Sequence, residues 1–161
     1  MVTIPSQNRK PKGTIPMSYL DISLSASDNL TYSLRDFNGQ KLVLYFYPKD
    51  NTSGCTLESK AFTCLVDDFA AKGYKIIGVS RDSVKSHQNF ITKQDLNVLL
   101  LSDKEEELVK AFDVLKEKSM YGKTYMGIER STFILNEEGH IVKEYRKVKA
   151  KGHAEAVLAD L

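Results

Sequence analysis

Lys41-Leu-Val-Leu-Tyr-Phe-Tyr47, then Pro48-Lys-Asp-Asn-Thr-Ser-Gly54, then Cys55-Thr-Leu-Glu-Ser-Lys-Ala-Phe-Thr-Cys-Leu65 is the stretch that decides the fold. Its first run is almost continuously apolar, β-branched or aromatic. A strand buried on both faces reads this way, and it implies a sheet covered by helices. The second run is a polar loop. From Cys55 the period becomes helical: Leu57, Ala61, Phe62, Leu65 and Phe69 fall on one face, which predicts a continuous helix of about four turns. Gly73 ends that helix, and Tyr74-Lys-Ile-Ile-Gly-Val-Ser80 is a second core strand. Strand, helix and strand in this order form a parallel crossover unit.

Working outward, Ile22 to Ser25 and Leu30 to Leu34 alternate around Ala26-Ser-Asp-Asn29, the pattern of an N-terminal β-hairpin. Downstream, helical spacing covers Ser83 to Leu96, a short strand covers Val98 to Leu101, and Lys104 to Phe112 is helical again. Val114 to Ile128 lacks a clear period and is expected to be a long loop. Ser131 to Leu135 and His140 to Tyr145 form a hairpin around Glu137-Glu-Gly139, and Ala154 to Leu161 is a closing helix. The expectation is an α/β fold with a mixed central sheet flanked by helices. It occupies one domain over residues 19–161, preceded by a flexible extension over residues 1–18.

Composition narrows the function. The chain has 161 residues, with 23 Lys and Arg against 21 Asp and Glu. The charges are interspersed, so no polyanion-binding face is expected and nucleic acid is not an expected partner. No apolar run reaches the roughly 18 residues a membrane span requires. The N-terminal stretch carries Arg9, Lys10 and Lys12 with no apolar segment behind them, a poor match to a secretory signal. A reducing cytoplasm is therefore expected, where two cysteines serve as buried, metal-bound or reactive groups rather than as a disulfide framework. His87, His140 and His153 show no ligand spacing with the cysteines, so neither a metal nor a cofactor is expected.

Cys55 stands where a buried strand's loop meets a helix start. Unpaired backbone N–H groups and the positive end of the helix dipole favour an anion there, and a thiol attacks only as thiolate. Thr52 offers a hydroxyl three residues upstream, and Gly54 lets the backbone approach a ligand closely. Glu58 falls at the same helical angle as Phe62, Leu65 and Phe69, and an inward carboxylate needs a partner.

The segment Tyr45-Phe-Tyr-Pro-Lys-Asp-Asn-Thr-Ser-Gly-Cys-Thr-Leu-Glu58, with its Pro-x-x-x-Thr-x-x-Cys spacing, resembles the active-site segment of the peroxiredoxins. It is most similar to their bacterioferritin comigratory protein (PrxQ) subfamily. The likeness extends to Phe37-Asn-Gly-Gln-Lys41, Gly122-Lys-Thr-Tyr-Met-Gly-Ile128 and Arg130-Ser-Thr-Phe-Ile-Leu135. The resemblance implies a thioredoxin-like fold and reduction of hydrogen peroxide and organic hydroperoxides. It assigns Cys55 as the peroxidatic nucleophile, Thr52 as a hydroxyl that binds the peroxide, Pro48 as a shield over the sulfur and Arg130 as the active-site arginine. Glu58 matches an acidic position expected to orient Arg130.

Many PrxQ-type proteins carry a resolving cysteine five residues after the nucleophile, and Lys60 stands there in this chain. Cys64 is nine residues on, about 13.5 Å and half a rotation away along a helix, whereas a disulfide needs Cα atoms within about 7 Å. The leading expectation is a one-cysteine cycle with an external thiol such as thioredoxin or glutaredoxin with glutathione, in a monomer or weak homodimer. Cys64 as a resolving thiol remains open. So does a different class of function, a non-catalytic redox sensor or holdase switched by Cys55 oxidation. A thiol–disulfide oxidoreductase is disfavoured, since Glu58 occupies the second position of a Cys-x-x-Cys pair. Tyr121, Tyr125 and Met126 are either edges of the active site or loop anchors.

Overall fold

The computed structural model describes residues 17–161. The expectation for residues 1–18 falls almost wholly outside them; Met17 and Ser18 open a 3-10 turn, Met17–Asp21. The strands are β1 (Leu24–Ala26), β2 (Thr31–Tyr32), β3 (Lys41–Phe46), β4 (Tyr74–Ser80), β5 (Leu99–Ser102), β6 (Leu115–Met120), β7 (Lys123–Ile128), β8 (Ser131–Leu135) and β9 (Ile141–Tyr145). The α-helices are α1 (Ser53–Cys64), α2 (Val66–Ala71), α3 (Val84–Gln94), α4 (Glu107–Ala111) and α5 (His153–Asp160).

Seven strands form one sheet in the order β2-β1-β5-β4-β3-β8-β9. β3, β4 and β5 are parallel, while β8 and β1 flank them antiparallel. The both-face burial expected of Lys41 to Tyr47 is realised residue by residue. Leu42, Leu44 and Phe46 enter one core with Leu108, Val109 and Phe112. Val43, Tyr45 and Tyr47 enter the other with Phe62, Phe69, Phe90 and Val157. Gly78 on β4 lies opposite Tyr45 in the parallel register. A Cβ there would come within 2.7 Å of both the Tyr45 ring and Leu100 Cδ2, so the glycine makes room for the tyrosine. Tyr45 in turn stacks on Phe62 of α1, with ring centroids 4.7 Å apart.

Two expectations are corrected. The four-turn helix is broken: α1 ends at Cys64, Leu65 has φ −101 and ψ 7, and α2 begins at Val66. Phe62 and Phe69 are buried across this break, as the apolar spacing requires, but Leu57 is 48% exposed and does not share their face. The expected loop over 114–128 is instead a β-hairpin, paired from Leu115↔Ile128 to Met120↔Lys123. Tyr121 and Gly122 turn it with φ of 54° and 77°. Two successive residues with positive φ match the right-handed twist of a two-residue hairpin. Tyr121 is 97% exposed at this tip, which removes it as a loop anchor. Among the described residues no helix is long and apolar enough to cross a membrane.

Candidate active site

The sheet's parallel centre delivers its loops to one end, and the site is built there. β3 ends at Phe46, and the Tyr47 amide still donates to the Val79 carbonyl of β4 (3.1 Å), so the chain leaves the sheet at Pro48. Proline suits that exit because it has no N–H to offer the ladder. Thr52 is the N-cap of α1 by backbone, with φ −90 and ψ 157; its carbonyl accepts the first helical bond, from the Thr56 amide at 2.8 Å. The Thr52 hydroxyl donates to the Lys49 carbonyl at 2.8 Å, which leaves its lone pairs as the function it offers outward.

Cys55 lies in the first turn of α1, where amide N–H groups have no intrahelical acceptor and the helix dipole is positive. It is 1% exposed. Its sulfur is nevertheless not sealed among hydrocarbon, because Nη2 of Arg130 donates to Sγ at 3.4 Å. Arg130 reaches the site from the residue before β8, the antiparallel neighbour of β3. Nη1 of the same guanidinium donates to Glu58 Oε1 at 2.6 Å. Gly54 serves this approach: a Cβ there would stand 3.0 Å from Arg130 Nη2. Sequence reasoning gave that glycine to a ligand, whereas the guanidinium is what it admits.

Glu58 is fully buried, and its second oxygen, Oε2, has no hydrogen-bond partner among the described residues. Burial pushes its carboxyl up from 4.5 to about 7, and the Arg130 charge and hydrogen bond offset this only in part. Burial alone would lower the Arg130 guanidinium, but Glu58 and Cys55 outweigh it and raise it, so it stays charged. Behind the arginine, His153 at the start of α5 shares a hydrogen bond with Thr132 Oγ1 at 2.7 Å. Burial, followed by the Arg130 charge, pulls this histidine down to about 4. It is therefore neutral near pH 7 and adds no second cation beside the guanidinium.

Beside Arg130 a cleft of about 410 Å³ is lined by Pro48, Lys116, Lys118, Glu129, Arg130 and Lys147 among others. Pro48 thus lines this cleft together with Arg130. Lys118 is a cleft residue that sequence reasoning missed. It is half-buried on β6, its Nζ donates to the Ile128 carbonyl at 2.6 Å, and burial together with Arg130 lowers its pKa. Alternation along 115–120 was the available signal, obscured because both faces of that strand carry polar residues. Tyr125 and Met126, 44% and 49% exposed on β7, stand on the same hairpin. Cys64, at the far end of α1, is exposed and unpaired.

Taken together, Cys55, Arg130, Glu58 and Pro48 meet at one end of the sheet, and Thr52 caps the helix that carries the sulfur. Residues 17–144 match the AhpC/TSA family. Peroxiredoxin Bcp of Xanthomonas campestris pv. campestris is 54% identical over 147 residues, 91% of this chain and 92% of its own. Peroxiredoxin Bcp of Bacillus subtilis is 48% identical over 141 residues, 88% and 90% of the two chains. Among solved structures, one of the Xanthomonas campestris bacterioferritin comigratory protein, studied for alkyl peroxide reduction, superposes with a TM-score of 0.86 at 53% identity, covering 91% of this chain and 93% of that one. With its thioredoxin-like sheet and these relatives spanning nearly its whole length, the chain belongs to the AhpC/TSA family, as one of the Bcp/PrxQ peroxiredoxins.

Proposed function

We propose that the chain reduces hydrogen peroxide and alkyl hydroperoxides at Cys55 through a one-cysteine cycle completed by an external thiol. The observation that carries this is the single guanidinium bonded both to Sγ of Cys55 and to the buried Glu58. The Cys55 thiolate attacks the terminal peroxide oxygen. An S–O bond forms, the O–O bond breaks, and the electron pair leaves on the departing oxygen, which takes up a proton as water or an alcohol. Negative charge moves from sulfur to that oxygen, and a fixed donor such as Arg130 stabilises it best inside a partly desolvated site. Thr52 accepts a hydrogen bond from the hydroperoxide, and Pro48 keeps bulk water from the sulfur. Glu58 holds the arginine in register.

The product at Cys55 is a sulfenic acid. A thiol then displaces water from it to give a mixed disulfide, and a second thiol releases the cysteine. The one-cysteine part is supported by the course of α1, which is unbroken from Ser53 to Cys64. Bringing Cys64 to Cys55 would unwind more than two turns and expose Phe62, which is fully buried against Tyr45. In this reading the enzyme is a cytoplasmic monomer or weak homodimer, reduced by a thioredoxin or by glutaredoxin with glutathione.

Intact-mass measurement after one equivalent of peroxide tests it. The expected product gains one oxygen and keeps it until thiol is added, after which many equivalents of peroxide are consumed. Rapid loss of two hydrogens dependent on Cys64 would replace the one-cysteine cycle. A single oxidation event without turnover in the presence of thiols would make the chain a sensor.

A further inference from the structure

The loop that carries Thr52 is tied down from beneath by a buried polar cluster with no place in the chemistry above. Asp50 is 5% exposed, and three side chains converge on its carboxylate: the Tyr47 hydroxyl at 2.6 Å, the Ser86 hydroxyl at 2.8 Å and His87 Nδ1 at 2.7 Å. The other nitrogen of His87, itself fully buried, faces the Leu101 carbonyl of β5 at 2.8 Å. A carbonyl only accepts, so Nε2 keeps its own proton and a further proton lies between Nδ1 and Asp50. The Asp50 amide donates to Asp82 Oδ2 at 2.8 Å, and the Ser80 hydroxyl holds the same oxygen at 2.6 Å. Ser80 and Asp82 thus grip the loop, and Ser83 caps α3 by accepting from the Ser86 amide.

Asp50 is in this way bound to the β4–α3 connection, the first turn of α3 and, through His87, β5. The next residue, Asn51, sits at φ 61, in the left-handed region that asparagine tolerates better than most non-glycine residues, and turns the chain there. Immediately beyond, the Thr52 hydroxyl spends its proton on the Lys49 carbonyl. Lys49 and Thr52 bracket Asp50, so the direction of the hydroxyl depends on the turn that Asp50 pins. Resting on the peroxidase reading above, we propose that Asp50 and His87 are positioning residues of the peroxide site. They form a buried clamp that fixes the Lys49–Thr52 turn, and with it the direction in which Thr52 presents its lone pairs to the hydroperoxide.

The test is a double-mutant cycle on single-turnover oxidation of Cys55 by hydrogen peroxide, with iodoacetamide alkylation of Cys55 as a reaction that needs no hydroxyl. Asp50→Asn keeps the shape but replaces one carboxylate oxygen with an amide NH2, which cannot accept, so the three contacts cannot all be kept. It is expected to slow oxidation by about tenfold, within the range of couplings inside one hydrogen-bond network. In a Thr52→Val background the same change should cost less than about twofold, the non-additivity expected of groups acting through one another. Alkylation should be unchanged in all four proteins. Ser86→Ala, which removes one donor without touching the Asp50–His87 contact, is expected to show the same pattern at smaller size should Asp50→Asn fail to fold. Equal slowing with and without Thr52, or slowed alkylation, would overturn the clamp as a general loosening of the site. Wild-type Cys55 that alkylates normally yet ignores peroxide would sink the peroxidase reading and this inference with it.

Discussion

Replacing Arg130 by Met is expected to slow oxidation of Cys55 by about 10²–10³-fold, the usual cost of losing one preorganised donor to a developing oxyanion. Methionine fills much of the same space but offers neither the contact at 3.4 Å to Sγ nor the one at 2.6 Å to Glu58. In the proposed mechanism both ends of the displacement suffer, since the same guanidinium bonds the attacking sulfur and lines the adjoining cleft. Arg130→Lys should recover only part of the loss, because one ammonium cannot hold a carboxylate and a sulfur in a rigid fork. The Met variant also leaves Glu58 buried without its counter-charge, so its rate is best read beside Arg130→Met/Glu58→Gln, which removes that charge as well. Stopped-flow oxidation of both proteins should give the same slow rate. A loss under about fivefold in either would remove Arg130 from the chemistry.

Glu58 carries the second large expectation, and it concerns stability. Its native carboxyl is raised to about 7 from 4.5, chiefly by burial, so the folded chain binds that proton more tightly than the unfolded one. A raised group stabilises fully below the unfolded value and loses that contribution as pH climbs through the folded value. Between pH 4.5 and 7, wild type should therefore lose on the order of 3 kcal/mol relative to Glu58→Gln, whose amide stands in for the neutral acid at every pH. Urea unfolding of both proteins at pH 5 and pH 8 measures this. The stability difference should shift in favour of the glutamine variant at the higher pH, and parallel profiles would contradict it.

What the sequence disclosed follows from where the physics is local. β3 and β4 were legible because strands buried on both faces must be apolar almost throughout, and 41–46 and 74–80 are. The β6–β7 hairpin was not, because Lys116, Glu117, Lys118, Lys123 and Thr124 are polar and only its base, at Leu115 and Ile128, reaches the core. Its turn begins with Tyr121 at positive φ, where asparagine or aspartate would have announced it. Helical periodicity also ran through the break at Leu65, since Phe62 and Phe69 stay buried on either side while Leu65 leaves helical geometry.

In the site, helical angle alone turned Glu58 inward, and the structure finds it fully buried. Arg130 lies 75 residues from Cys55, and only family resemblance could pair them. No comparable signal joins Asp50 to His87 across 37 residues, because a contact between a loop and a distant helix leaves no local period.

Exposure and electrostatics make opposite predictions for the two sulfurs, and that opposition offers the most direct test. Cys64 is open to solvent, whereas Cys55 is 1% exposed beside Arg130. Peptide mapping by mass spectrometry after a substoichiometric dose of hydrogen peroxide will show which sulfur took the oxygen. Oxygen is expected on Cys55, with Cys64 unmodified. Oxygen found first on Cys64, with Cys55 left reduced, would contradict it.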